Sequence, residues 1–294
     1  MTHAARRAHR LGLLLLLVTT AGWALNWPGM KILLRDWPPM SSRGVAGVAA
    51  SLILAALAWR AGETLHVPRE AWPRLLFASF TNVFAWMGFG TLCMVWLSVS
   101  EGTLLIYTMT LWATLLAWPI LGARPGPRQI GALVLGFAGI GVLLGGQGFA
   151  LGPDKLIGVG FALAAAVLFA LGTVLNRKAL PIPPLASAAW QVGLGCLPML
   201  IFGFLVEAPR WGALSASGWA VLVYMTLVPM GLCYVTWFAT LRLLPPATAS
   251  TGTLLVPLIG VISASLVLGE PLGWREGAAM VLVLGGVTLA LRKA

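Results

Sequence analysis

Charge is what this chain has least of. Charged side chains make up 9% of its 294 residues, and Asp and Glu together number only 8, where a water-soluble domain carries about 25% charged residues. With a mean hydropathy of +0.92, that scarcity excludes a fold whose whole surface meets water. Histidine is almost missing too: His3 and His9 lie in the N-terminal tail and His66 in a polar segment. Cys93, Cys196 and Cys233 are scattered and have no histidine nearby, so neither a metal site nor a disulfide framework is expected. The chain contains no G-x-x-x-x-G-K-[ST] phosphate loop for ATP. No apolar stretch holds a nucleophile with its base or a pair of acids, which argues against an enzyme buried in a membrane. No catalytic residue and no cofactor is expected. The 19 Lys and Arg give a net charge of +11, but they are spread over many short segments with no basic stripe, so no nucleic acid is expected as a partner.

What the chain has instead is hydrophobic length. Charges divide it into ten neutral runs, 11–30, 44–59, 75–100, 102–123, 129–153, 156–176, 179–206, 211–241, 243–269 and 277–291. A membrane helix needs roughly 17 to 25 such residues. The runs 44–59 and 277–291 are short, and each is bounded by basic residues (Arg43 and Arg60, Arg275 and Arg292) whose long stems are expected to reach the interface and lengthen the span. The first run follows Arg6, Arg7 and Arg10 and has the look of a signal peptide. However, Trp23-Ala24-Leu25, with Lys31 and Pro38 downstream, recurs as Phe169-Ala170-Leu171 with Arg177 and Pro184 at a constant offset of 146. It is therefore counted as helix 1. With ten spans, the side bearing both termini holds 13 Lys and Arg against 6 on the other, so both termini are expected to be cytoplasmic.

The repeat extends further. Aligned without a gap, 121–142 and 268–289 share eight identities in 22 positions, among them Leu121/Leu268, Gly122/Gly269, Arg128/Arg275 and Gly139/Gly286. The chain divides into a five-helix unit at 1–150 and a second at 151–294. An odd number of spans per unit makes the second copy enter the membrane from the opposite side. The expected fold is an all-α membrane protein of ten transmembrane helices in two inverted five-helix repeats, a plan in which a ligand site lies between the halves near the midplane.

The phrase LGEPLGWREG at 268–277 and the run LLVPLIGVISASLVLGE at 254–270 resemble the EamA-type branch of the drug/metabolite transporter superfamily. Within it the chain is similar to YddG-like exporters of aromatic amino acids. The resemblance implies a multi-pass protein of the bacterial inner (plasma) membrane. Its partners would be the lipid bilayer and a small amphiphilic substrate, most naturally an aromatic or hydrophobic amino acid exported by alternating access. It also implies that helices 5 and 10 stand outside the transport core. The oligomeric state is left open. Two alternatives stand beside this reading, a proton-coupled drug or metabolite efflux carrier and a pore or channel. No Asp, Glu or His falls inside an expected span, so no proton relay is visible. The first repeat departs from the motif, with Ala123-Arg124 where the second has Glu270-Pro271. Glu270 is expected to end helix 9 near the positive N-terminal end of helix 10.

Tryptophan is abundant, at 14 residues. Trp37, Trp59, Trp72, Trp211, Trp219 and Trp274 lie near span ends, where Trp commonly anchors at the interface. Trp23, Trp86, Tyr107, Trp112, Trp190, Tyr234 and Trp237 fall deeper, accompanied by Asn26, Asn82, Thr110, Thr173 and Gln191. Uncharged polar groups inside a bilayer need partners, so they should face the protein interior or a wet cavity. Asn82 and Trp86 (i, i+4), Tyr107 and Thr110, and Trp23 and Asn26 (both i, i+3) each share a helix face. A ring beside a hydrogen-bonding group suits a small amphiphile. The candidate substrate-binding set is Trp23, Asn26, Asn82, Trp86, Tyr107, Thr110, Phe169, Thr173, Trp190, Gln191, Tyr234 and Trp237. Holding helices together is the competing role for the amides and hydroxyls. Gly141 and Gly145, with Gly285 and Gly286, are expected at close helix contacts, and Pro229 and Pro257 as mid-helix breakers.

Overall fold

The computed structural model describes residues 3–145, 152–176 and 178–291. Arg177 and Arg292, used in the repeat alignment and the charge count, lie outside them, as does the side chain of Arg6. Among the described residues there is helix and no strand. Eight helices are long and apolar enough to cross a membrane: α1 (Arg7–Leu33), α2 (Pro39–Arg60), α3 (Arg69–Trp96), α4 (Val99–Leu121), α5 (Pro127–Gly145), α6 (Pro153–Leu175), α7 (Pro184–Glu207) and α8 (Ala216–Leu243). The ninth span, α9, comes in two pieces, Pro246–Gly252 and Leu255–Leu268, and α10 is Trp274–Leu291. Five spans precede the segment 146–151 and five follow it. The outward surface is apolar: Leu14, Leu52, Leu266 and Val281 are 61 to 81% exposed, which suits hydrocarbon as the surrounding solvent.

The repeated phrase is a helix stop. Gly122 after α4 and Gly269 after α9 both adopt φ +69°, a left-handed conformation that glycine takes without the Cβ clash. The phrase then leads into the last helix of each unit, and α5 packs against α10. At that contact a Cβ on Gly286 would lie 2.7 Å from the Ala132 carbonyl oxygen. Of the four glycines expected there from spacing, Gly286 is used and the other three are not. Among the described residues, Gly141, Gly145 and Gly285 have nothing within 4 Å of a Cβ, because those faces of α5 and α10 point away from the contact.

The second helix is longer than the charge boundaries imply. It begins at Pro39, whose ring pre-sets φ for the first turn of a helix, so Arg43 sits inside α2 and is only 3% exposed. The expectation that Arg43 reaches out to the interface is corrected accordingly. Trp37 is likewise no interfacial anchor: it is 1% exposed, its ring lies 4.6 Å from Trp211, and Nε1 donates to the Arg210 carbonyl at 2.8 Å.

Besides α7, whose end at Gly203–Glu207 is π-helical, four helices are irregular, two in each repeat at matching places. α3 is π-helical over Phe80–Phe89 and α8 over Val228–Leu232, where Pro229 falls. α4 breaks at Thr108 between Val99–Tyr107 and Met109–Leu121, and α9 breaks at Thr253 and Leu254, 145 and 146 positions later. Such interruptions at membrane depth are tolerated where backbone is buried in protein or faces a cavity.

Candidate functional site

The irregular helices surround a central cavity of about 930 Å³. Residues of α1, α3, α4, α6, α8 and α9 line it. So do Arg43 of α2, Val287 of α10, and Pro184, Ser187, Ala188, Gln191 and Val192 of α7. No described residue of α5 does. The implied exclusion of helices 5 and 10 thus fits α5 but not the whole of α10, and helices 2 and 7 join the wall. At one end the lining continues into Lys178, Ala179 and Leu180, after α6. Toward the other end it stops at Met30, Arg43 and Gly90; none of the described residues at 34–38, 97–98, 208–215 or 269–273 takes part.

Eleven of the twelve candidate residues line this cavity, all except Trp190. They form two aromatic groups built the same way. Trp23 of α1 meets Tyr234 and Trp237 of α8, with ring centroids 6.4 and 5.6 Å apart. Phe169 of α6 meets Trp86 of α3 at 4.6 Å, and Trp86 meets Tyr107 of α4 at 6.1 Å. Each repeat therefore sends the aromatic of its first helix against its partner repeat's third helix. Trp190 points elsewhere: Nε1 donates to the Leu65 carbonyl at 2.9 Å and the ring packs on Trp72 at 5.5 Å. Trp112 packs edge-on to Phe137 of α5, also away from the cavity.

The polar groups divide into committed and free. Asn82 Nδ2 donates to Gln191 Oε1 at 3.0 Å, and Gln191 Nε2 to Ser187 Oγ at 3.0 Å, a chain that ties α3 to α7. Thr173 Oγ1 donates to the Phe169 carbonyl of its own helix, and Trp23 Nε1 to the Pro229 carbonyl at 3.0 Å. By contrast, Asn26 Oδ1, Thr110 Oγ1 and Asn176 Nδ2 are buried with no hydrogen-bond partner among the described residues, and all three residues line the cavity. An unmet buried polar atom costs about 1 to 3 kcal/mol, so these atoms are where a polar ligand gains most. Asn176, Lys178, Ser187 and Arg43 were not among the candidate site residues read from the sequence. The Pro38-Pro39 pair was the signal for Arg43, since a helix beginning there already contains it.

The Glu270 expectation needs a correction. Both of its carboxylate oxygens accept from the Val99 backbone N at 3.0 Å, so it caps α4, in the other repeat, rather than α10. α10 is served by its own Glu276, which accepts from Gly273 N at 2.9 Å. Val99 is the first residue of α4 and fully buried, so its N–H has no partner within its helix and needs an acceptor from elsewhere.

The family model for EamA-like transporters matches this chain twice, over residues 10–145 and 156–292. The chain belongs to the EamA-like transporter family. It is thus a multi-pass membrane transporter of the drug/metabolite transporter superfamily, not an enzyme. Among curated proteins it is similar to the uncharacterized transporter YvbV of Bacillus subtilis, 28% identical over 95% of this chain and 91% of the relative. It is also similar to a probable amino-acid metabolite efflux pump of Salmonella typhimurium, 26% identical over 94% and 93% of the two chains. The aromatic amino acid exporter YddG of Ancylobacter novellus is 26% identical over 84% and 83%. A solved crystal structure shares the fold, with a TM-score of 0.67 at 20% identity over 97% of this chain and 96% of that one.

Proposed function

We propose that this EamA-like chain exports small amphiphilic metabolites, aromatic and hydrophobic amino acids foremost, across the bacterial inner membrane by alternating access through the central cavity, with both termini cytoplasmic. The observation that carries the reading is the cavity wall: paired aromatic groups from both repeats enclose buried polar atoms that have no partner among the described residues. Its volume of about 930 Å³ lies within the range of about 300 to 1,000 Å³ typical of small-molecule sites. The name of the Ancylobacter relative points to the same substrate class. No Asp, Glu or His is among the described lining residues, which supports flux down the substrate gradient without a proton relay.

Counterflow by purified protein in liposomes, read against a panel of amino acids, tests this. Saturable exchange of aromatic amino acids that ignores a pH gradient is expected. Flux that follows the proton gradient would instead mean a proton-coupled carrier, and unsaturable flux without counterflow a channel. The orientation has its own check, since tags on the N- and C-termini should both report cytoplasm.

A further inference from the structure

We infer that Arg43 is the carboxylate-recognition residue of the cavity, holding the acid group of the substrate at the end away from Lys178. This rests on the amino-acid reading above. The guanidinium carries five N–H donors and a permanent charge, yet it is 3% exposed inside a membrane helix. Among the described residues its hydrogen-bond partners are two. Nε donates to Thr91 Oγ1 at 3.0 Å, and Nη2 rests against Met30 Sδ, a weak acceptor. Thr91 gives its own proton to the Met87 carbonyl at 2.7 Å, so it serves Arg43 only as an acceptor.

No described carboxylate pairs with Arg43. Asp36 and Glu207, the acids at the adjoining ends of α1 and α7, are taken up by Ser215 and by Met40 and Ser41. A charge buried in a membrane protein is costly without a counter-charge and marks a functional position by default. Arg43 lines the cavity, so the counter-charge can arrive from the cavity itself. The planar fork of arginine fits a carboxylate with two parallel hydrogen bonds.

The neighbouring side chains suit the rest of an amino-acid head group. Asn26 lies one turn before Met30 on the same face of α1, and its unpartnered Oδ1 is an acceptor for an ammonium. With the head group held by Arg43 and Asn26, the substrate side chain extends toward Trp86, Tyr107 and Phe169. The competing role for Arg43 is structural, linking α2 to α1 and α3 through Met30 and Thr91.

Counterflow of L-phenylalanine by the wild-type protein in liposomes, competed with L-phenylalanine itself and with its amide, separates the two roles. The amide keeps the ring and the ammonium but lacks the carboxylate. It should compete at least about thirtyfold more weakly, the scale seen when one partner of a buried charge pair is removed. In Arg43→Gln the two ligands should compete within about threefold of each other, and Arg43→Lys should recover part of the difference. Equal competition on the wild type would overturn the inference whether or not the Gln variant folds. So would full discrimination in a folded Arg43→Gln. Absence of saturable counterflow for every amino acid with the wild type would overturn the amino-acid reading, a separate failure, and the role of Arg43 with it.

Discussion

Among the described residues, four carboxylates at one end of the cavity reach across to another helix; at the end that opens past Lys178 only Glu63 does so, accepting from Ala186 N at 2.9 Å. At the latched end Asp36 accepts from Ser215 N, Glu207 from Met40 N and from the N–H and hydroxyl of Ser41, Glu270 from Val99 N, and Glu101 pairs with Lys155 at 2.8 Å. Part of this arrangement obeys the two-fold relation of the repeats. Glu63 after α2 caps α7, and Glu207 at the end of α7 caps α2. The rest breaks it. Ala123 stands where the second repeat has Glu270, and Ile182 lies 146 positions after Asp36. The donor is missing as well: α9 begins at Pro246, the match of Val99 at an offset of 147, and proline has no N–H to give. The two halves are thus similar, and a few carboxylate contacts distinguish the two ends of the cavity. Under the alternating access proposed above, the end with more of these contacts is the one that must be released.

The largest effect that sharpens this comparison is expected at Glu207. Glu207→Ala removes the acceptor of three hydrogen bonds and should destabilise the detergent-purified protein by about 2 to 3 kcal/mol, against about 1 kcal/mol for the single bond lost in Glu63→Ala. Equal shifts in thermal unfolding would break the distinction between the ends. Next comes Glu270→Ala, which leaves the buried Val99 N–H unmet at a cost of about 1 to 3 kcal/mol to the latched state. In a variant whose Cys196 and Cys233 are replaced by Ala, alkylation of the fully buried Cys93 should then speed up roughly tenfold. Ala123→Glu, which copies the missing acid, should leave that rate and transport unchanged, because no N–H awaits it; a large effect would mean the open end carries a hidden latch. The smallest change is expected from Lys155→Met. Its partner pair is partly solvated, with side chains 28% and 16% exposed, and such pairs contribute about 0.2 to 1 kcal/mol, read as a slight loss of thermal stability.

Ten spans, the two repeats and most of the cavity wall were legible in the sequence, because hydrophobic length and the cost of burying amides are local signals. Asn82 and Trp86 share a helix face by spacing alone, and the structure brings both to the cavity. Trp190 has the same depth in its run as Gln191, yet the adjacent residue on a helix points about 100° away, toward Leu65. Arg43 was hidden by treating each charge as the edge of a span, although a proline start can carry a basic residue into a helix. Glu270 was misread because its partner, Val99, is 171 positions away. Gly141 and Gly145 had the right spacing on the wrong face, which only packing decides. Long-range contacts of this kind leave no periodic trace.

The most direct test of a central aromatic site is the affinity of purified protein for L-tryptophan, compared between Trp86→Ala and Trp274→Ala. Trp86 touches Phe169 and Tyr107 in the cavity, while Trp274 is 75% exposed on the outer surface. Ring contacts contribute about 0.5 to 1.5 kcal/mol beyond area burial, so Trp86→Ala should weaken binding roughly three- to tenfold and Trp274→Ala should leave it unchanged. Normal binding in a well-folded Trp86→Ala, with loss in Trp274→Ala, would contradict the central site.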